Sequence, residues 1–233
     1  MLILGISTST ARVGCAIGGH EGILGAVHSS RGRRHAETLT PAIEFLCRQT
    51  RVELGDIGAI AVDLGPGLFT GLRVGVAAGK ALAHARRLPM IGVASLDLLA
   101  FAVRHSNRRI VCAIDAGRGE IFHGSYRQVP GGVQRITDPA VGTADDLASE
   151  LVAVREELLL VGDGALRYRA SFEGMKGLEL GDSGVAHPSA GSLVQLAHAR
   201  ALREEFVAPT ELTPMYLRKP DAEISWTTRG AAR

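Results

Sequence analysis

The chain has 233 residues, 46% of them apolar and 4% aromatic, and a formal net charge of +2. That apolar fraction excludes disorder for most of the length, and the near-balanced charge gives no electrostatic footprint of a nucleic-acid binder. One large domain or two small lobes fit the length, with cores packed closely through the abundant Gly and Ala.

Residues 2–7, LILGIS, read as a buried strand, followed by a turn at TSTAR and further strands over 13–19 and 22–30. The short Gly-rich links between them predict an antiparallel meander. Over 35–50, Leu39, Ile43 and Leu46 recur at helical spacing with Ala42 beside them. Pro41 inside that pattern predicts a kink or irregular first turns. Residues 57–67 read as a buried strand ending in a turn. A long helix then runs from Thr70, the expected N-cap, to Arg86. A strand over 88–96 and a helix over 96–105 complete the first round.

The layout then restarts. Residues 109–129 read strand, turn, strand, and GVQRITDP adds a third strand. A helix over 144–154, a strand over 157–165 ending in glycines, and a long helix over 189–205 follow. The repeated order argues for an α/β chain of two duplicated lobes, each a mixed sheet flanked by helices. The expected division is an N-terminal lobe 1–105, a C-terminal lobe 106–218 and a loosely ordered tail 219–233, in which Trp226 is the residue expected to make contact.

Gly67, Gly71, Gly75 and Gly79 recur every four residues. Steps of four advance only about 40° on a helix, so these glycines line one slowly turning ridge, with Arg73, Lys80 and His84 opposite. Each interior glycine costs roughly 1 kcal/mol relative to Ala. The offsetting gain is close approach of another backbone, from this chain or a second one. A phosphate cradle at GPGLFTG is the weaker reading: Leu72 stands where GxxxxGK[ST] requires Lys, and glycines at 65, 67 and 71 do not make GxGxxG. Leu68 and Phe69, two large apolar residues at the loop tip, imply burial by something.

The chain is poor in catalytic patterns. Cys15, Cys47 and Cys112 are isolated, with no CxxC, which points to a reducing cytoplasm. The N-terminus does not read as a signal peptide, and the apolar runs are broken before membrane-spanning length. Clusters Arg31, Arg33, Arg34, His35 and Arg104, Arg108, Arg109 read as solvated loops. No two of the eight histidines stand three or four apart, so HxxxH is absent and no metal site is expected. His35 and Glu37 read as interface or capping residues. Ser125 and Tyr126 have no base nearby in sequence.

The strings ILGISTST, HAETLTP, GPGLFTGLRVGVAAGKALA, PMIGVASLDLLA, AIDAGRGEIF and PMYLRKP, in this order along residues 1–220, resemble the TsaB (YeaZ) family. The resemblance implies an actin/Hsp70/sugar-kinase-like (ASKHA) fold. It implies a role in making N6-threonylcarbamoyladenosine in tRNA, at the adenosine 3′ of the anticodon. In that role the chain would be a non-catalytic scaffold that activates the catalytic paralogue TsaD. The ATPase TsaE would complete the set, tRNA would be met only through the complex, and a homodimer is the alternative pairing. No intrinsic cofactor is implied; ATP or ADP would sit at the complex interface.

In the family the contact is built from the two helices matching 35–50 and 70–86. The expected contact residues here are Leu39, Ile43, Leu46, Phe69, Gly71, Leu72, Gly75, Val76 and Gly79. Arg73 and Lys80 would lie at the rim or reach a nucleotide between subunits. The chain departs from the pattern at Ser7, where many relatives carry Asp, and a neutral hydroxyl does not hold magnesium as a carboxylate does. Asp115, its second-lobe counterpart, reads as a strand-end residue capping a turn, and Glu120 as exposed or paired with Arg118. The rival readings are a sugar-kinase-like ATPase or phosphotransferase, and a metalloprotease lacking its HxxxH.

Overall fold

The computed structural model describes residues 1–30 and 34–218. Arg31, Arg33 and the tail with Trp226 lie outside the described residues. The first round of elements is β1 (Leu2–Ser7), β2 (Val13–Gly19), β3 (Gly22–Ser29), α1 (His35–Thr50), β4 (Ile57–Asp63), α2 (Phe69–Arg86), β5 (Met90–Val93) and α3 (Ser95–Ala102). The second is β6 (Arg109–Gly117), β7 (Glu120–Val129), β8 (Gly132–Arg135), β9 (Ala140–Thr143), α4 (Ala144–Val152), β10 (Leu158–Val161), α5 (Asp163–Arg167), β11 (Leu178–Leu180) and α6 (Ala190–Ala201).

One sheet has the order β3-β2-β1-β4-β5 and the other β8-β7-β6-β10-β11, with β9 added beside β7. In both, the meander strands pair antiparallel while the strands that follow helices pair parallel. The duplication read from the sequence is therefore a duplication of topology.

Side-chain alternation along the strands gives each sheet two apolar faces. Leu4, Ile6, Cys15, Ile17, Ile60 and Val62 pack toward α1 and α2, while Ile3, Ala16, Ala59 and Ala61 pack toward α6. In the second sheet, Val111, Ala113 and Ile121 pack under α4 and α5, and Ile110, Cys112 and Tyr126 pack on α3. Helices α3 and α6 thus cross over: each covers a face of the sheet built from the other half of the chain. A boundary at 105/106 separates the strands of the two sheets but not these helices. Periodicity reveals that a helix has an apolar side, not which sheet will cover it.

Local boundaries follow their caps. Helix α2 starts at Phe69 behind Leu68, with no side-chain cap, so Thr70 is an exposed first-turn residue and not the N-cap. Helix α1 continues through Pro41, which lies on its exposed side. Helix α4 opens with a capping box, in which the Thr143 hydroxyl accepts from the Asp146 amide at 3.1 Å and the Asp146 carboxylate accepts in return. The short elements β9 and α5 carry too few residues to show a period.

Candidate functional site

The glycine ridge of α2 faces this chain's own first sheet. A methyl on Gly71 would overlap the carbonyl oxygen of Thr8, and one on Gly75 its hydroxyl; one on Gly79 would stand 2.5 Å from Val62 Cγ1. The gain that offsets the glycines is close approach of the β1–β2 turn and of β4. The loop ahead of α2 is filled by the same turn: the Leu68 amide donates to the Ser9 carbonyl at 2.7 Å, and Gly67 packs on that carbonyl. His35 closes the group, 4% exposed, with Nε2 2.8 Å from the Thr10 carbonyl oxygen. It is a core residue and neither a cap nor a surface contact; Glu37, exposed, lies 3.8 Å from Arg34.

Eight of the nine expected partner contacts are turned inward. Leu39, Ile43 and Leu46 on α1, and Gly71, Leu72, Gly75, Val76 and Gly79 on α2, are buried against the sheet. Phe69 alone of the nine is half-exposed. The apolar stripe of a helix laid on a sheet belongs to its own core, which leaves the opposite side outward.

That opposite side carries Glu37, Pro41, Glu44 and Phe45 on α1, and Arg73, Ala77, Ala81 and His84 on α2, all exposed, with Lys80 half-buried at its edge. Phe45 is 46% exposed, high for its size. On α1 the carboxylates stand with cations, Glu37 beside Arg34 and Glu44 one turn before the exposed Arg48, while Arg73 and Lys80 flank Ala77 and Ala81 on α2. At the N-terminal end of α2 the Arg73 guanidinium lies 3.9 Å over the Phe69 ring, and that ring stands 5.3 Å from Tyr216. Tyr216 arrives on the final segment, which returns to the first lobe through a Val207–Met90 bridge and a Met215 amide to Leu64 carbonyl bond of 2.7 Å. Arg218 on this segment pairs with Glu120 at 2.8 Å, tying the strap to β7.

Three carboxylates stand at strand ends, Asp63 in the first sheet and Asp115 beside Asp163 in the second. Asp63 closes β4 and is 2% exposed. It accepts from Ser7 Oγ at 2.8 Å, Ser9 Oγ at 2.6 Å, Ser95 Oγ at 2.5 Å and the Gly65 amide at 3.0 Å. Burial pushes its pKa up, against the pull of these four bonds. Ser7 is therefore a donor to a buried acid. Sequence reading missed Asp63; its signal is an acid ending the apolar run AIAVD. Asp115 accepts from the Gly117 amide at 3.0 Å, as a turn cap does, and also from Arg167 at 3.0 Å and the Tyr168 hydroxyl at 3.1 Å.

Asp163 accepts the Asp115 amide at 3.0 Å, and its other oxygen lies 3.6 Å from His187 Nδ1. Burial pushes Asp163 up to about 6. Burial, with Arg12 and His28 nearby, pushes His187 down to about 4. Tyr126 is a structural group whose hydroxyl donates to Asp97 at 2.9 Å. Among the described residues, no three His, Cys, Asp or Glu side chains are placed to hold a metal ion, and no helix is long and apolar enough to cross a membrane.

The activator of the 2-hydroxyisocaproyl-CoA dehydratase from Clostridium difficile shares the fold alone, with a TM-score of 0.51 and 11% identity over 93% of this chain and 100% of that one. Two lobes of equal strand order, each sheet faced by helices, define an actin/Hsp70/sugar-kinase-like protein. YeaZ from Pseudomonas aeruginosa superposes with a TM-score of 0.81 at 28% identity, covering 93% of this chain and 99% of its own. The tRNA threonylcarbamoyladenosine biosynthesis protein TsaB of Escherichia coli K12 is 28% identical over 229 residues, 97% of each chain. A family profile described as TsaD: tRNA N6-adenosine threonylcarbamoyltransferase matches residues 20–226, and the chain belongs to the TsaB/YeaZ family of these related proteins. That family takes part in tRNA threonylcarbamoyladenosine biosynthesis.

Proposed function

We propose that this chain is a non-catalytic scaffold and activating subunit, binding the catalytic paralogue TsaD through the outward face of α1 and α2. The observation that carries the reading is that face itself. Ala77 and Ala81 let a second helix approach closely, Phe45 offers an exposed apolar anchor, and Glu44, Arg48, Arg73 and Lys80 put charges of both signs around it. A related lobe brought up by a twofold rotation would meet this same face, so a paralogue and a second copy compete for one surface. TsaE would join the assembled pair, and tRNA would be met through the complex. ATP or ADP, if it binds, would lie between subunits near Arg73 and Lys80. The reading places the chain in the cytoplasm with the rest of that machinery.

The non-catalytic part draws support from the carboxylates. Asp63 is sealed by three serine hydroxyls and an amide, and Asp115 is engaged by Arg167, Tyr168 and Gly117. The phosphotransferase reading needs an acid at these strand ends free to face a metal–nucleotide, and neither of these two is disposed so. Reconstitution tests the proposal. TsaD and TsaE with a threonylcarbamoyl donor and substrate tRNA should form the modified nucleoside, read by mass spectrometry, only when this chain is added. This chain alone should release no phosphate from ATP. Full modification without it, or ATP turnover by it alone, would overturn the reading.

A further inference from the structure

A cavity of about 720 Å³ opens on the α4 side of the second sheet, away from the α1–α2 face and from the strand-end carboxylates. Sheet alternation explains its floor. Val111, Ala113 and Ile121 point toward α4, so Arg109, His123 and Ser125, in phase with them, point the same way. Where this face would continue as apolar core, the sequence supplies a guanidinium, an imidazole and a hydroxyl. Leu147 and Leu151 of α4 form an apolar wall, and the segment 137–142 closes the opposite side.

The polar groups of the floor are not used by the fold. Arg109 Nε is shut off from solvent with no acceptor among the described residues. Its guanidinium makes no ion pair there either, whereas its neighbour Arg108 is held by Glu157 at 2.8 Å and Glu179 at 3.4 Å. Ser125 is 6% exposed and lines the cavity; its amide is bonded to Thr137, but its hydroxyl has no partner among the described residues. A buried donor such as Arg109 Nε is costly without an acceptor, whereas the unpartnered Ser125 hydroxyl is open to the cavity. Burial lowers the His123 pKa, with Glu150 opposing, so the imidazole adds no second positive charge at neutral pH. The rim has the other sign: Asp138 and Glu150 are exposed carboxylates at the mouth, and Asp146 is occupied by its cap.

A cation on the floor, carboxylates at the mouth and an aliphatic wall disfavour a bare anion, which the rim repels, while a bare amine can meet the rim but offers no acceptor to the donors of the floor. We infer that this cavity binds a small zwitterion of the amino-acid class, its carboxylate on Arg109 and Ser125 and its ammonium toward Glu150 and Asp138. The volume lies within the range of about 300–1,000 Å³ usual for small-molecule sites.

The test is a titration of the isotope-labelled full chain, followed by amide NMR, with L-alanine, L-leucine, acetate and isobutylamine as separate probes. The proposal expects at least one of the two amino acids to shift the Ser125, Gly142 and Leu151 amides saturably, at least about tenfold more tightly than acetate or isobutylamine. Arg109→Met should abolish saturation while leaving first-lobe amides in place. Glu150→Gln should weaken the amino acid and leave acetate unchanged or tighter. Should Arg109→Met not fold, Ser125→Ala serves, with a loss of several-fold expected. Absence of saturable shifts for both amino acids, acetate binding as tightly as they do, or indifference to the variant that folds would overturn the inference.

Discussion

The Thr8 hydroxyl donates to the Gly71 carbonyl across 2.7 Å, joining the β1–β2 turn to the first turn of α2, and a methyl on Gly75 would overlap that same hydroxyl. The glycine ridge is the imprint of this turn. Gly75→Ala should therefore destabilise the chain by about 1–3 kcal/mol through overpacking, although the same change in a free helix would gain about 1 kcal/mol. Urea unfolding measures it, with exposed Ala77→Gly as the control that reports propensity alone. A Gly75→Ala protein more stable than wild type would mean that the turn does not confine the helix.

Asp63 gives a second stability prediction. Its carboxylate gathers three serine hydroxyls from β1, the β1–β2 turn and α3. Asp63→Ala leaves all three buried without their acceptor and should cost about 3 kcal/mol or more. Because burial raises the folded pKa, this acid's titration removes stability as pH rises from the ordinary carboxylate range through the raised value. The deficit of the variant should accordingly narrow as pH rises through that window. A deficit below about 1 kcal/mol would contradict the account.

Asp163 and His187, 3.6 Å apart, titrate in opposite senses. Folded Asp163 keeps its proton to about 6 against an ordinary 3.8, so its contribution is full at low pH and lost as pH rises through about 6. Folded His187 resists protonation down to about 4 against 6.5, so its contribution is full above 6.5 and lost as pH falls through about 4. By the pH at which His187 charges, Asp163 has taken up its own proton and no longer holds the imidazolium. Each effect amounts to about 3 kcal/mol, and in wild type they partly cancel. His187→Gln should gain stability relative to wild type on acidification, and Asp163→Asn should lose it. Urea midpoints across the acid range read this directly; three parallel curves would refute it.

Thiol reactivity checks the core. Cys15 and Cys112 are fully buried, and burial pushes Cys15 up to about 12 and Cys112 higher than its ordinary value. Cys47 is half-buried on α1. A disulfide reagent should modify at most Cys47 in the native protein and all three cysteines in denaturant. Rapid native modification of Cys15 or Cys112 would be incompatible with the two sheets as built.

What the sequence made legible was what depends on local order. The meander, the helices read over 35–50 and 70–86, and the repeat of their order all rest on apolar spacing and glycine turns, which neighbours in sequence decide. What it hid depends on contacts distant along the chain. Nothing around Gly75 says that Thr8 lies against it, so the ridge read equally as an interface. Nothing in SAGSLVQLAHARA says that α6 will cover β1 and β2 in the other half. Asp63 went unread because its three serines come from positions 7, 9 and 95. The same limit applies to the expected contact residues: Leu39, Ile43 and Leu46 lie on the side of α1 buried against its own sheet.

The central claim is that the outward face of α1 and α2 holds TsaD. Its most direct measurement is the affinity of TsaD from the same organism for wild type and for Ala77→Arg, by calorimetry, after circular dichroism and melting have shown the variant folded. The account predicts a one-to-one complex with wild type and a loss of at least about 100-fold for the variant, since a central long cation would hold the helices apart. Equal binding of the folded variant, or no binding by wild type, would contradict it.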